Sequence, residues 1–295
     1  VAGGLASLPD ITIQNIRFWF LAFLVAAFVV TILIEFPFFW LAMRSKGNSM
    51  RRTILATLII NVISYVFLFG WYWTASGTSM LTRLEVVPAE TMELSEPYSL
   101  YFISRDGNQI CQMNLCDPES IRSVAKVVAH HRNDRLFARP RTDSGFDLLL
   151  FLDSDDRRAG KETKILEDFS DDAPIDWRIK EGHSGRAEGT WSNFGPVPII
   201  GKKSDWEFDT AFWAFGGISG NNTKTGMSLR FSLELPFAAW YVRNATQIPG
   251  EYVVAQLGED QICLMHLESG RIALIARGKG PVVAKTKISF RLDQR

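Results

Sequence analysis

Few side chains in this 295-residue chain are of a type and spacing that could do chemistry. The four histidines, His130, His131, His183 and His266, show no HExxH spacing. The three cysteines, Cys111, Cys116 and Cys263, form neither a CxxC pair nor a disulfide framework. No GxSxG, GxxxxGK[ST], GxGxxG or CxxCH run occurs, so nucleophile-elbow, P-loop, dinucleotide and covalent-haem chemistry have no support. The acidic runs DSDD (153–156) and DFSDDAPID (168–176) lack the spacing of a calcium loop and read as solvated connections. No cofactor or metal site is expected. One carboxyl stands apart. Glu35 lies inside TILIEFPFFW (31–40), an otherwise apolar run, with Pro37 two residues later.

The elements that must position Glu35 are two apolar segments. Residues 18–43 hold Glu35 as their single ionisable side chain, and residues 54–73 hold no acid or base. About 20 residues at 1.5 Å per residue cross a hydrocarbon layer of ~30 Å, so both are long enough to span a membrane. A soluble helix of this length would show a polar face. Trp19 and Trp40 flank the first segment, and Trp71, Tyr72 and Trp73 close the second, as in the aromatic belts of membrane interfaces. The connection RSKGNSMRRT (44–53) carries Arg44, Lys46, Arg51 and Arg52 and no acid, which marks it as cytoplasmic by the positive-inside bias. The expected organisation is a short exported segment (1–17), a transmembrane helix (18–43), a cytoplasmic loop (44–53), a second transmembrane helix (54–74) and an exported domain (75–295). The chain is thus expected in a bacterial inner membrane, with its large domain periplasmic. The first segment is too long for a signal peptide and lacks a cleavage site; the start without methionine is expected to reflect a signal peptide already removed, with a valine start codon as the alternative.

Depth within the membrane pairs Glu35 with a residue on the second helix. Glu35 lies nine residues before Arg44, and Asn61 nine residues after Arg52. If both arginines mark the interface, the two side chains share a depth of roughly 13 Å and can face each other across an antiparallel hairpin. A carboxylic acid and an amide can exchange two hydrogen bonds, and ionising the acid there would cost several kcal/mol, so a neutral carboxyl is expected. Pro37 cannot donate to the carbonyl of Leu33, and Ser64 or Tyr65 is expected to replace the missing donor. A proton relay is the functional rival, but it needs further titratable groups that two helices with one acid do not supply. Glu35, Asn61, Pro37 and Ser64 are therefore read as a clasp that packs the hairpin.

Beyond residue 75 the pattern changes to short alternating runs between turn residues. YSLYFISRDGNQICQMNL (98–115) reads as a hairpin, and DLLLFLD, MSLRFSLEL, EYVVAQL and KTKISFRL read as strands. PESIRSVAKVVAHH (118–131) fits either a helix or a strand. NQICQMNL (108–115) recurs as DQICLMHL (260–267), an offset of 152 residues. An offset of about four periods of ~40 residues is what a β-propeller of four-stranded units shows, and predicts about five blade-like units between 84 and 290. An all-β domain without closure is the alternative. Alternation sets Cys111 with Met113 and Leu115, and Cys263 with Met265 and Leu267, on one face as buried hydrophobes.

The unit "strand, Arg-Asp-Gly-Asn turn, Ile-x-x-Met-x-Leu strand, further strand" resembles the WD40-like repeats of TolB-type periplasmic propellers. It stands here as YFISRDGNQICQMNL and, more faintly, VVAQLGEDQICLMHL. The resemblance covers two units and implies an architecture and a binding or scaffolding habit rather than a reaction.

Residues 75–295 hold 27 basic and 30 acidic side chains, which offers no basic face to nucleic acid. Trp177, Trp191, Trp206, Trp213 and Trp240 crowd the diverged middle of this domain and are its candidate interface anchors. Together these features point to a membrane protein with a two-helix hairpin and an all-β exported domain, acting as a non-catalytic accessory or scaffolding subunit. Its expected partners are integral membrane proteins and the lipid bilayer, with a photosynthetic or respiratory complex as one possible host. The alternatives are a membrane-anchored propeller hydrolase and a periplasmic ligand-binding or sensor module.

Overall fold

The computed structural model describes residues 10–45, 47–75, 84–115, 117–153, 161–175, 195–210, 217–232, 234–235, 238–239 and 241–286. The chain divides into two compact units, residues 1–82 and 83–295.

The first unit is a helical hairpin. Helix α1 (Ile16–Met43) starts after a knot in which Asn15 Oδ1 accepts the Thr12 N–H at 2.8 Å and Asn15 Nδ2 donates to the Asp10 carbonyl. Helix α2 (Ser49–Ala75) follows a turn closed by Asn48 in the left-handed region (φ 58°), a conformation asparagine tolerates. Both helices are long and apolar enough to cross a membrane. They run beyond the apolar segments that suggested them, because the flanking polar turns also satisfy helical backbone bonds. α1 continues through Pro37. Large apolar side chains cover the outer faces; Phe38 and Phe67, for example, are more than two-thirds exposed. Helix association without a hydrophobic driving force relies on close packing and polar contacts, and the seam carries polar contacts between Thr31 and Tyr65 and between Glu35 and Asn61.

The second unit is almost entirely β. Its strands are β1 (Glu85–Val86), β2 (Tyr98–Ser104), β3 (Gln109–Asn114), β4 (Asp117–Lys126), β5 (Arg135–Pro140), β6 (Phe146–Leu152), β7 (Lys161–Ser170), β8 (Gly195–Pro196) and β9 (Trp206–Thr210). They continue as β10 (Gly217–Asn222), β11 (Ser228–Ser232), β12 (Glu234–Leu235), β13 (Ala238–Ala239), β14 (Val242–Ile248), β15 (Tyr252–Leu257), β16 (Gln261–His266) and β17 (Arg271–Lys285). An eight-stranded sheet runs β14-β15-β16-β17-β2-β3-β4, with β1 parallel to β17; smaller sheets are β11-β10-β9-β8, β5-β6-β7 and β12-β13. The ambiguous 118–131 segment is therefore mostly strand β4. Its branched and polar residues alternate on an edge position where helical periodicity has nothing to bury against.

The duplicated sequence motif is a duplicated meander, β2-β3-β4 and β15-β16-β17. The two copies do not stand as separate blades. They share one sheet, joined edge to edge where β17 pairs with β2. Among the described residues there is no ring of four-stranded blades. The physical reason lies in β17, 15 residues long, whose first half pairs with β16 and whose second half pairs with β2. A strand that serves two meanders fuses them.

Both faces of β2 are covered, so all seven of its residues are buried. Leu100 and Phe102 join Cys111, Met113, Ile262, Leu264 and Val283 in one core. Tyr101 and Ile103 face the other way, against Leu136, Leu148 and Leu150 of the β5-β6-β7 sheet. Alternation does group Cys111 with Met113 and Leu115, as expected. In β16, however, Ile262 and Leu264 enter that shared core, while Cys263 and Met265 are buried on the opposite face.

Candidate functional site

The hairpin seam is where polar residues converge. Asn61 Nδ2 donates to Glu35 Oε2 at 2.8 Å and to the carbonyl of Thr57, one turn earlier, at 3.0 Å. The contact is a single bond from the amide nitrogen rather than the two-bond exchange that the sequence suggests, and the same nitrogen also donates to Asn61's own helix. Asn61 is buried and Glu35 half-buried. One helical turn toward the N-terminus of α1 the seam repeats itself. Thr31 Oγ1 donates to the carbonyl of Ala27 at 2.8 Å, which leaves the Tyr65 hydroxyl to donate to Thr31 Oγ1 at 3.1 Å. The Tyr65 ring also meets Phe28 edge-on at 5.1 Å.

The expected donors beside Pro37 are placed otherwise. Ser64 is exposed on the outer side of α2 and takes no part in the clasp. Tyr65 serves Thr31 rather than the Leu33 carbonyl. A shift of one residue rotates a helical side chain by about 100°, which separates Ser64 from the seam that Asn61 and Tyr65 occupy. Pro37 itself is exposed.

The described side chains of α2 that are buried are Thr53, Thr57 and Asn61, spaced four residues apart. The hydroxyls of Thr53 and Thr57 have no hydrogen-bond partner among the described residues. Sequence reasoning centred on the acid missed these threonines. Their signal was present in the spacing Ser49, Thr53, Thr57, Asn61, Tyr65, a polar ridge along an otherwise apolar helix.

The candidate interface in the β unit is changed by the structure. Trp206 is buried in β9 and stacks flat on Phe208, with ring centroids 5.7 Å apart. Gly220, facing Phe208 on β10, makes room: a Cβ there would come within 2.3 Å of the ring. Trp206 is thus a core residue of its sheet. Trp177, Trp191, Trp213 and Trp240 lie outside the described residues.

Titratable groups in the β unit are engaged in structural bonds. The Asp134 carboxylate accepts the backbone N–H groups of His131 (2.8 Å) and Asp153 (2.9 Å). It lies 3.9 Å from Lys279 Nζ, which donates to the His131 carbonyl. Burial pushes the Asp134 carboxyl above its ordinary value and the Lys279 amine below its own. His131 Nδ1 is 3.5 Å from Asp153 Oδ2. His266 bonds Ser269 in the turn after β16, and His183 lies outside the described residues. Cys111 and Cys263 are buried free thiols, both raised by burial. No group of three His, Cys, Asp or Glu side chains suited to a metal ion occurs among the described residues. An open cleft of about 580 Å³, open solvent included, lies between β5, β8, β9, β14 and the β17 bulge, lined by residues such as Thr210, Asn244 and Pro281.

The chain matches no protein-family model and no curated protein, so its functional reading rests on the hairpin seam and the β unit themselves.

Proposed function

We propose that the chain is a non-catalytic accessory or scaffolding subunit of an integral membrane complex. Its hairpin spans a bacterial inner membrane, with residues 44–53 cytoplasmic and the β unit periplasmic. The observation that carries this reading is the hydrogen bond from Asn61 to Glu35 between two long apolar helices. A polar contact holds the hairpin together from within, and the bulky outer faces (Phe18, Leu33, Phe38, Phe67) stay free for lipid and for neighbouring transmembrane helices. Polar contacts inside and bulky apolar side chains outside are what a docking hairpin needs. The β unit, whose two meanders are fused into one eight-stranded sheet through β17, offers a surface for protein contacts on the exported side. Extraction in a gentle detergent followed by native mass analysis tests the reading. A stable assembly with other membrane proteins is expected, and a chain that is monomeric under all mild conditions would overturn it.

A further inference from the structure

We propose that Arg132 and Arg243 form a binding site for a phosphate-type oxyanion, beside the turn that joins β15 to β16. The site belongs to the β unit alone and does not depend on the subunit reading above.

The two arginines come from neighbouring segments. Arg243 is the second residue of β14, and Arg132 lies in the loop before β5. Arg243 Nη1 donates to the Arg132 carbonyl at 3.5 Å, a long bond and the guanidinium's single one among the described residues. Its Nε is buried without a partner, and its Nη2 makes no hydrogen bond although the side chain is partly exposed. Burial, and then the charge of Arg132, hold the Arg243 guanidinium below its ordinary pKa. Glu259 acts on Arg243 from a distance, in the opposite sense, and forms no ion pair with it. Arg132 is exposed and has no carboxylate in contact among the described residues.

The other charges at this end of the unit are engaged. Lys279 faces Asp134 and donates to the His131 carbonyl, and Arg105 and Arg277 both hold Asp260. Five cations (Arg105, Arg132, Arg243, Arg277, Lys279) thus gather with three carboxylates (Asp134, Glu259, Asp260) around residues 258–260. The excess is local, because residues 75–295 as a whole are acidic in balance. A partly buried cation beside a like charge lowers stability unless a counter-charge completes the site. Guanidinium groups hold phosphate oxygens through paired N–H bonds, and two of them opposite one distant carboxylate favour a doubly charged oxyanion over chloride. In the bound state Arg243 donates from its open Nη edge, and the exposed Arg132 closes over the anion from the solvent side.

The test reads the urea midpoint of the full chain in phosphatidylcholine nanodiscs by tryptophan fluorescence, in sodium phosphate and in sodium chloride of equal ionic strength. At phosphate about ten times its dissociation constant, the folding constant of the wild type is expected to rise about tenfold. R243M is expected to start higher in chloride, since it removes the uncompensated charge, and to gain nothing from phosphate. R132Q, at an exposed position, is expected to keep the chloride midpoint and lose most of the gain. R139Q removes an arginine that already bonds Glu162 and is expected to keep the gain in full. Nanodiscs containing phosphatidylglycerol are measured in chloride alongside. A rise there that needs Arg243 assigns the oxyanion to a lipid headgroup, whereas a rise with dissolved phosphate alone assigns it to a free anion. Midpoints that follow ionic strength only, or an equal gain in R243M and R132Q, would overturn the site.

Discussion

Asn61 and Glu35 are 26 residues apart in sequence and 2.8 Å apart across the hairpin, with both amide hydrogens of Asn61 in use. The amide is therefore held in one orientation across the seam. Interhelical bonds of this kind contribute about 0.6 kcal/mol on average and up to about 1.7 kcal/mol. A double-mutant cycle of E35L, N61L and the pair, read from hairpin unfolding in mixed micelles, is expected to return a coupling in that range. Strictly additive effects would show that the two side chains do not cooperate. E35Q is expected to retain most of the bond, because a glutamine carbonyl still accepts from Asn61.

A backbone approach in the β unit gives a second outcome. Gly280 has φ 59°, and a Cβ on it would lie 2.6 Å from the Cα of Arg135 on β5. Its N–H is taken by Gln256 Oε1 at 2.8 Å. G280A is expected to lower stability by about 2–5 kcal/mol, combining left-handed strain with displacement of the β5 backbone. Gly226 shares the positive φ (70°) but meets nothing within 4 Å, so G226A is expected to cost only about 1–2 kcal/mol. Denaturant midpoints of the two variants separate close packing from conformational strain; equal losses would remove the packing role of Gly280.

The hairpin and the strands around 98–115 were legible in the sequence because each depends on local pattern: apolar length for the helices, alternation and a tight turn for the strands. Glu35 and Asn61 could be paired by depth alone, since a short connection forces antiparallel neighbours. Ser64 was misplaced because depth counting carries no azimuth, and azimuth decides which side chain enters the seam. The repeat NQICQMNL/DQICLMHL was equally visible, but its architecture was not. Whether two meanders form separate sheets or one depends on the pairing of β17 with β2, between residues some 180 positions apart, which no local pattern encodes. The GKGP stretch (278–281) that lets β17 bend between its two partners carried the missing signal, as glycine and proline together in a strand mark a bulge.

The buried thiols give a third outcome. Burial raises both Cys111 and Cys263, and a thiol held protonated is a poor nucleophile. In a C116S background neither is expected to react with a maleimide in the native chain, and both are expected to react once it is unfolded. Rapid native labelling at Cys263 would mean that the core formed by β15, β16 and β17 opens readily.

Acid should weaken the β unit through carboxylates on its surface. Asp143 is held well below the usual carboxylate range by Arg141, at 2.7 Å. Asp147 is lowered by the Asp168 N–H and by Lys164, and Glu96 by Lys285 at 2.7 Å. For each, the folded value lies below the unfolded value of about 4, so the stabilisation is present above that pH and is lost as pH falls through the folded value. Asp134 has the opposite sign. Burial raises its folded value, so its contribution favours folding at low pH and is lost as pH rises through that value. R141M and K285M are therefore expected to flatten the fall in urea midpoint below about pH 4, whereas D134N should remove the gain that the wild type makes as pH falls toward about 4. These surface pairs are screened by solvent, so high salt should reproduce the effect of R141M in part. A wild-type midpoint that stays constant down to about pH 2 would show that the Arg141 and Lys285 pairs contribute nothing to folding.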